Sequence, residues 1–308
     1  MEVERVQALA FITGGLKELP AKFICPPHER PENSKPLEGV TVPVVSLMLP
    51  HGVLIERVFE ACTQWGYFLA KEAYANDPST GKFEGYVTKM TKNLDEKVEW
   101  VDSFFHHISP PSKVNLDVWP KHPPSYREVN EEYSKEMLRI TGQLLELLSE
   151  GLKLDKKALA TPLGDQEIEL EIKINMYPPC PQPHLALGVE SHTDMSALTL
   201  LLPNEIPGLQ VSKDGHWVAV DYSPDALFVH VGDQIEVLSN AKYKSVVHRS
   251  VVSKDRTRMS WAMFSVPPHE AVIGPLPELV DEKNPAKYST KIFAEYQYQY
   301  RKFNKLPQ

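Results

Sequence analysis

The chain has 308 residues, of which 42% are hydrophobic, and it carries a formal net charge of −8. It can therefore bury an ordinary globular core, as one large domain or as two small ones. The acidic balance argues against a general affinity for nucleic acid or anionic membranes, because both rely on a surplus of Lys and Arg. Small molecules are the expected partners.

Three cysteines, Cys25, Cys62 and Cys180, are far apart and form no CxxC pair. We therefore expect neither a disulfide framework nor a thiolate zinc cluster. The N-terminal stretch lacks the basic start and continuous apolar segment of a secretory signal, and no apolar run approaches the roughly 20 residues of a membrane span. These features predict a cytoplasmic protein and leave its oligomeric state open.

Two amphipathic helices are predicted in the first half of the chain. The first is outlined by apolar residues at helical spacing, namely Val53, Leu54, Val58, Phe59, Cys62 and Trp65. The second begins at Ser125, where Glu128 completes a capping box, and ends near Gly151. Its predicted buried face consists of Val129, Tyr133, Met137, Ile140, Leu144 and Leu148.

From about Glu167 the hydrophobic period changes to two. In "EIELEIKINMYPP" an apolar face alternates with a polar face that carries Glu169, Glu171, Lys173, Asn175 and Tyr177. Further short strands are predicted at "SALTLLLP", "GLQVSK", "HWVAVD", "ALFVHVGD", "IEVLSN", "SVVHRSVVS" and "RMSWAMFSV".

Roughly eight strands with short turns predict a double-stranded β-helix, or jelly roll, flanked by helices in a mixed α and β fold. We divide the chain into an N-terminal helical region, 1–124, and a region 125–308 that contains the long helix and the jelly roll. The two regions are expected to form one compact unit.

Two strong metal ligands stand at the head of an apolar run in "ESHTDMSALTLLLP". Because alternate residues of an extended strand share a face, His192 and Asp194 are expected to point the same way. Intervening strands can bring His248 beside them. Two imidazoles and one carboxylate on one face of an ion form the facial triad of non-haem Fe(II) oxygenases. Alone, an HxD pair often arises by chance, and zinc hydrolases also use two histidines and a carboxylate.

In "RMS", Arg258 and Ser260 share one strand face by the same period of two. A guanidinium beside a hydroxyl is a carboxylate receptor, since its fork binds both oxygens and the hydroxyl adds a third hydrogen bond. A lone RxS is more often an exposed strand edge, but the ordered combination HxD, His, RxS is far more specific than its parts.

With these motifs the chain resembles the plant 2-oxoglutarate and Fe(II)-dependent dioxygenases. Within them it is most similar to the flavonol synthase and leucoanthocyanidin dioxygenase (anthocyanidin synthase) group. The carrying segments are "MEVERVQALA", "EWVDSFFH", "IKINMYPPCPQPHLALGVESHTDMSALTLLLPNEIPGLQV", "HVGDQIEVLSNAKYKSVVHRSVV" and "RMSWAMF". The resemblance implies an enzyme that hydroxylates or desaturates a flavonoid-like small molecule and releases succinate and carbon dioxide.

The resemblance also implies roles for the residues singled out above. Fe(II) would be held by His192, Asp194 and His248. Arg258 and Ser260 would hold the distal carboxylate of 2-oxoglutarate, with dioxygen as the other co-substrate and ascorbate as the reductant. Asn175 and Tyr177 match the family's N-x-Y and would help to position 2-oxoglutarate, although Asn175 is equally explained by pairing on a polar strand face.

On the substrate side, Lys173, Phe105 and Phe264 correspond to the family's positions for binding a flat polyphenol. On sequence alone, Phe105 and Phe264 are more typical of an ordinary core. Two positions depart from the family pattern, Ser103 in place of a polar aromatic or histidine and Val266 in place of a glutamate. Both changes remove a group able to bind a substrate hydroxyl, so the exact reaction stays open.

A larger departure follows Phe68, where "WGYF" runs directly into "LAKEAYANDPSTGK". By comparison with the family, about one strand and one helix of ordinary length are absent. The missing strand is expected to leave a neighbouring strand unpaired at an opened edge. The alternatives are therefore a dioxygenase of another plant metabolite, or a shortened, inactive member that binds or regulates without turnover.

Overall fold

The computed structural model describes residues 6–11, 16–31, 36–40, 42–71, 98–117, 119–224 and 226–303, with only the backbone described for 67–71 and 300–303. The helices are α1 (Val6–Ala10), α2 (His51–Gln64), α3 (Tyr126–Gly151), α4 (Asp233–Leu238) and α5 (Phe293–Phe303). The strands are β1 (Val44–Ser46), β2 (Tyr67–Lys71), β3 (Asp102–Ser109), β4 (Glu169–Tyr177), β5 (Leu187–His192), β6 (Leu198–Pro203), β7 (Leu209–Lys213), β8 (His216–Ala219), β9 (Ala226–Val231), β10 (His248–Val251), β11 (Arg258–Val266), β12 (Val272–Ile273) and β13 (Lys291–Ile292). No helix in these ranges has the length and apolarity needed to cross a bilayer.

Two sheets form the core. The larger has seven strands in the order β1-β2-β9-β6-β11-β4-β3, and the smaller has four in the order β5-β10-β7-β8. Neighbouring strands pair antiparallel except for β1 and β2, which are parallel. Most neighbouring strands, such as β2 and β9 or β4 and β11, are distant in sequence, as in a jelly roll. The predicted mixed fold with a jelly-roll core and flanking helices is confirmed.

Strand β4 lies between β3 and β11 and carries the alternation that its sequence predicts. Ile172 and Ile174 are buried in the main apolar cluster, whereas the alternate residues face a cavity. The antiparallel register places Arg258 opposite Tyr177 and Ser260 opposite Asn175. A single pair of strands therefore aligns four predicted site residues on one face.

Helix α3 runs for 26 residues and packs against α2. Its C-terminal half is buried as predicted through Ile140, Leu144 and Leu148. In the N-terminal half Met137 is buried and Tyr133 packs partly buried against the core, as predicted, but Val129 is 57% exposed and Tyr126 is buried instead. Tyr126 faces the core there, because its hydroxyl lies 2.7 Å from Nε2 of buried His106.

The predicted capping box at the start of α3 is also wrong. Ser125 has helical backbone angles, φ −73° and ψ −8°, and makes no side-chain capping bond. The helix is instead entered from a proline turn, in which the Tyr126 N–H donates to the Pro123 carbonyl at 3.0 Å. A capping serine needs extended angles to reach the free N–H groups, and this turn does not provide them.

The stretch "IEVLSN" was predicted as a strand, but it lies mostly in helix α4, Asp233–Leu238. Every residue of α4 is buried, so its sequence shows no amphipathic period. A short apolar run without a period cannot distinguish a strand from a buried helix.

The region 1–124 is not purely helical as predicted, because β1, β2 and β3 all belong to the seven-stranded sheet. The expected unpaired edge after Phe68 is also not observed. Residues Tyr67–Lys71 form β2, which pairs with β9 on one side and β1 on the other. Strands pair through backbone N–H and C=O groups, which do not depend on the side chain. The residues that follow Phe68 can therefore form the strand.

Gly66, at the entry to β2, is expected to be indispensable to the fold. It has φ +71°, and a Cβ there would collide with the Lys244 carbonyl oxygen. Gly66→Ala should lower the free energy of unfolding by on the order of 3 kcal/mol, combining backbone strain with the clash. Gly215→Ala is the matched control, because Gly215 has φ +79° but open space around it, and it should cost about 1 kcal/mol. Equal losses in urea denaturation would contradict the steric explanation.

Candidate functional site

The three predicted iron ligands converge at one end of the smaller sheet. His192 ends β5 and His248 begins β10 as its register partner. Oδ1 of Asp194 lies 3.7 Å from Nε2 of His192 and 3.8 Å from Nε2 of His248. Asp194 lies just beyond the end of β5, and its side chain is beside that of His192, as the period of two predicted.

The backbone fixes which ring nitrogen of each histidine faces Asp194. Nδ1 of His192 lies 2.8 Å from the Glu190 carbonyl oxygen, and Nδ1 of His248 lies 3.1 Å from the Val246 carbonyl oxygen. A carbonyl oxygen only accepts, so each Nδ1 carries the hydrogen and donates it. Both Nε2 lone pairs are thereby left for a metal ion.

The electrostatics of the three residues suit a divalent cation. Burial raises the pKa of Asp194, but nearby His248, His230 and His192 outweigh it and hold this pKa well below its usual range. Burial lowers the pKa of His248 to about 3, against the opposing effect of Asp194. An ionised carboxylate and a neutral imidazole are the forms that bind metals. The donor set fits Fe(II).

Arg258 projects into the same cavity and is 1% exposed. Its Nε and Nη1 are buried and make no hydrogen bond within the described part of the chain, while its guanidinium carbon lies 4.9 Å from the Tyr177 ring centroid. A buried cation without a hydrogen-bonded counter-ion is strongly unfavourable. The site therefore fits an anionic ligand such as the distal carboxylate of 2-oxoglutarate.

Polar side chains around Arg258 form a connected network. Ser103 Oγ donates to Asn175 Oδ1 at 2.8 Å, and Asn175 Nδ2 donates to Ser260 Oγ at 3.5 Å. The Tyr177 hydroxyl donates to Ser250 Oγ at 3.4 Å. The predicted positions Asn175, Tyr177 and Ser260 are therefore side by side, and Ser103 supports Asn175.

Lys173 and Phe264 line the cavity that contains these groups. Phe105 stands opposite Lys173 on β3 and is 42% exposed, at the rim. Val266 is 3% exposed, packs in the main core and does not line the cavity. Of the five predicted substrate-side positions, Lys173 and Phe264 line the cavity, whereas Ser103, Phe105 and Val266 do not.

Two residues of the site were missed in the sequence. His230, on β9, lines the cavity, and its Nδ1 lies 3.4 Å from Asp194 Oδ2. The Asp233 backbone N–H donates to the Asp194 carbonyl at 2.8 Å, and its carboxylate accepts from Thr193 Oγ1 at 3.2 Å. Both lie in the stretch "ALFVHVGD", in which the period of two could have placed His230 inward, whereas no local signal marks Asp233.

Asp233 should make the stability of the metal-free protein depend on pH. Burial raises the pKa of its carboxyl from 3.8 to about 7, against the opposing hydrogen bonds from Tyr296 and Thr193. A raised carboxyl pKa contributes stability that is fully present below the unfolded value and is lost as pH rises through the folded value. Asp233→Asn cannot ionise. As pH rises from 4 to 7, the melting temperature of wild type should therefore fall relative to that of Asp233→Asn.

Thermal unfolding in a chelating buffer checks this difference. The exposed Asp221→Asn variant is the control and should follow the wild-type profile. Parallel profiles for wild type and Asp233→Asn would contradict the assignment of a buried, protonated carboxyl.

Comparison with known proteins agrees with this geometry. A family model described as 2OG-Fe(II) oxygenase superfamily matches residues 169–267. Flavonol synthase 1 of Crocosmia x crocosmiiflora is 47% identical over 337 positions, covering 100% of both chains. Leucoanthocyanidin dioxygenase of Malus domestica is 47% identical over 228 positions, covering 73% of this chain and 64% of that protein.

A crystal structure of JOX2 in complex with 2OG, Fe and JA superposes with a TM-score of 0.87 at 33% identity, covering 100% of this chain and 96% of that one. These findings confirm the resemblance that the sequence motifs indicated. The chain belongs to the 2OG-Fe(II) oxygenase superfamily, whose members use Fe(II) and 2-oxoglutarate.

Proposed function

We propose that this 2-oxoglutarate-dependent oxygenase hydroxylates or desaturates a flavonoid-like small molecule. His192, Asp194 and His248 hold the iron, and Arg258 with Ser260 holds the distal carboxylate of 2-oxoglutarate. The observation that carries the assignment is the buried Arg258 guanidinium, whose Nε and Nη1 make no hydrogen bond among the described residues. A zinc hydrolase would leave that cation on the cavity wall without a function.

The protein positions and shields the reacting groups. When bound, iron and 2-oxoglutarate supply the oxidising equivalents, with release of succinate and carbon dioxide. Asn175 and Tyr177 flank the Arg258 and Ser260 pair and narrow the space that 2-oxoglutarate can occupy. Apolar Leu201, Leu209 and Ala262 on the cavity wall limit the entry of water.

The proposal of a flavonoid substrate rests on the cavity wall and on the relatives. Phe264 lines the cavity and offers a ring face against which a flat polyphenol can stack, with Phe105 at the rim. Lys173 lies between them and can bind a phenolic hydroxyl. The relatives with 47% identity are named as flavonol synthase and leucoanthocyanidin dioxygenase. A dioxygenase of another plant metabolite is the alternative.

Product analysis tests the substrate class. The purified chain is incubated with Fe(II), ascorbate, 2-oxoglutarate, air and a panel of flavanones and dihydroflavonols. We expect a product with one added oxygen atom or two fewer hydrogens, formed together with succinate. Lys173→Met should raise KM for the flavonoid about tenfold, as expected for losing one charged hydrogen bond, and leave KM for 2-oxoglutarate unchanged. A well-folded sample that makes no succinate with any flavonoid would overturn the substrate class.

We further propose that the chain lacks a family segment after Phe68. The alignment to flavonol synthase 1 spans 337 positions, more than the 308 residues of this chain, so that relative has positions without a counterpart here. Strand β2 nevertheless pairs on both sides, which favours an active enzyme over an inactive binding member. Binding of iron and 2-oxoglutarate without turnover, with turnover restored when the family segment is inserted, would favour the inactive alternative.

Dioxygen as co-substrate, ascorbate as reductant and a cytoplasmic location complete the proposal. The location is supported by Cys25, Cys62 and Cys180, which are buried and form no disulfide in the described part of the chain, as is usual in a reducing compartment. Fractionation of plant tissue with an antibody to the chain tests it, and recovery in a membrane or secreted fraction would contradict it.

A further inference from the structure

A second group of metal-binding side chains lies at the opposite end of β4 from the site described above. It consists of His107 on β3 and of Glu169 and Glu171 on β4. Glu171 is six residues, or about 20 Å, from Tyr177 along one extended strand, and two residues from Lys173, which lines the cavity. We call these three residues the β3–β4 cluster.

Strand pairing brings the three side chains to one face of the sheet. His107 stands directly opposite Glu171 in the antiparallel register, and Glu169 shares the face of Glu171 because it lies two residues away. Their ligand atoms all fall within 4.8 Å of one another. The cluster is therefore built by the same core strands that carry Asn175 and Tyr177.

The two carboxylates of the cluster lie near different ring nitrogens of His107. Nδ1 of His107 lies 3.8 Å from Glu169 Oε2, and Nε2 of His107 lies 3.6 Å from Glu171 Oε1. Both separations are too long for hydrogen bonds. One ion can bind only one of the two ring nitrogens, and with one ligand atom from each residue the three ligand atoms lie within 4.8 Å of one another.

The carboxylates of the cluster are largely buried, unlike a group of charges on the protein surface. The side chain of Glu169 is 5% exposed, that of Glu171 is 14% exposed and that of His107 is 33% exposed. His107 Nδ1 is itself buried and makes no hydrogen bond among the described residues. Two largely buried carboxylates beside an imidazole with an unsatisfied nitrogen favour the binding of a cation.

The backbone holds His107 in place for this role. Its carbonyl oxygen accepts from Trp119 Nε1 at 3.2 Å and lies 3.0 Å from His106 Nδ1. The register of β3 shifts immediately afterwards, between His107 and Ser109. Such bulges re-aim side chains, and here the irregularity follows the proposed ligand.

We propose that His107, Glu169 and Glu171 form a second metal site, separate from the iron site, for a divalent transition-metal ion of the zinc type. One imidazole and two carboxylates are ligands that such an ion accepts, and solvent at the partly exposed His107 side completes its coordination. Lys113 competes with the metal for Glu169, because its Nζ lies 3.1 Å from Glu169 Oε1. The metal must displace this ammonium group, which is 44% exposed and free to move into solvent.

Zinc titration of the full chain tests the site. The titration uses an Asp194→Ala/His248→Ala background, which removes the iron site, and measures zinc bound per chain after equilibrium dialysis. The background should bind one Zn²⁺. Adding Glu171→Gln should weaken that binding at least about tenfold. Loss of a residue that only hydrogen-bonds to a metal ligand already lowers metal affinity by that factor. His51→Asn is the control, because His51 pairs with Glu150 at 2.7 Å in the open, and it should change nothing.

A second variant keeps the test independent of the doubly substituted background. In the otherwise wild-type chain, Lys113→Met should tighten the second zinc-binding event severalfold, because it removes the ammonium that competes for Glu169. Circular dichroism verifies that each variant is folded. A background that binds no zinc, equal zinc affinity in the Glu171→Gln and His51→Asn variants, or unchanged or weaker binding in Lys113→Met would each overturn the site.

Discussion

Arg258→Met is expected to abolish 2-oxoglutarate binding and to raise the stability of the ligand-free protein. Arg258 is 1% exposed, and its Nε and Nη1 make no hydrogen bond in the described structure. Removing the cation leaves the ligand carboxylate without its partner, which should raise Kd at least about 30-fold, or 2 kcal/mol. Without ligand, methionine of similar length removes an uncompensated buried charge, so the melting temperature should increase.

Calorimetric titration of 2-oxoglutarate and thermal unfolding measure the two effects of Arg258→Met together. Arg256→Met is the control, because Arg256 is exposed two residues earlier in the chain, and it should change neither quantity. A variant that keeps its affinity for 2-oxoglutarate would show that the carboxylate binds elsewhere. A fall in melting temperature would show that Arg258 has a structural role instead.

Asp194→Ala is expected to remove the iron from the site and to eliminate turnover. Asp194 Oδ1 is the atom that both His192 and His248 face, and no other carboxylate belongs to this group in the described part of the chain. Losing a charged ligand should reduce Fe(II) bound per chain to near zero and succinate formation at least about a thousandfold. Metal analysis after anaerobic loading, with a succinate assay, measures both.

The exposed Asp221→Ala variant controls for a general loss of acidic charge and should bind one Fe(II) per chain. His248→Ala should behave like Asp194→Ala, because both complete the same triad. Retained iron at full occupancy in Asp194→Ala would contradict the assignment of this carboxylate as a ligand.

The features that could be predicted from sequence are those with a local physical cause. The alternation in β4 follows from the period of a strand, so the facing of Lys173, Asn175 and Tyr177 was predictable residue by residue. The same period on β11 placed Arg258 beside Ser260. The helix boundary at Gly151 was also predicted correctly.

The features that escaped prediction depend on contacts between distant parts of the chain. Whether "IEVLSN" forms a strand or a helix is decided by burial on all sides of α4, which sequence periodicity does not encode. Val129 is exposed because Tyr126 sets the buried stripe of α3 through His106, a residue of β3. The Asp233 backbone N–H donates to the Asp194 carbonyl oxygen, and no sequence motif predicts this contact.

The proposed deletion after Phe68 shows a limit of comparison by motif. A missing strand was expected to leave an open edge, but residues Tyr67–Lys71 pair with β9 and β1. Pairing of this kind depends on backbone groups rather than on particular side chains. The strand could therefore be rebuilt from unrelated sequence, and the iron ligands lie on other elements.

The most direct test of a complete site in this shortened chain is anaerobic calorimetric titration of 2-oxoglutarate into the wild-type protein, with and without Fe(II). With the iron ligands and Arg258 facing one cavity, one molecule of 2-oxoglutarate should bind per chain, more tightly when Fe(II) is present. Absence of binding, or an affinity that does not respond to Fe(II) in a folded sample, would contradict a site in which metal and co-substrate are held together.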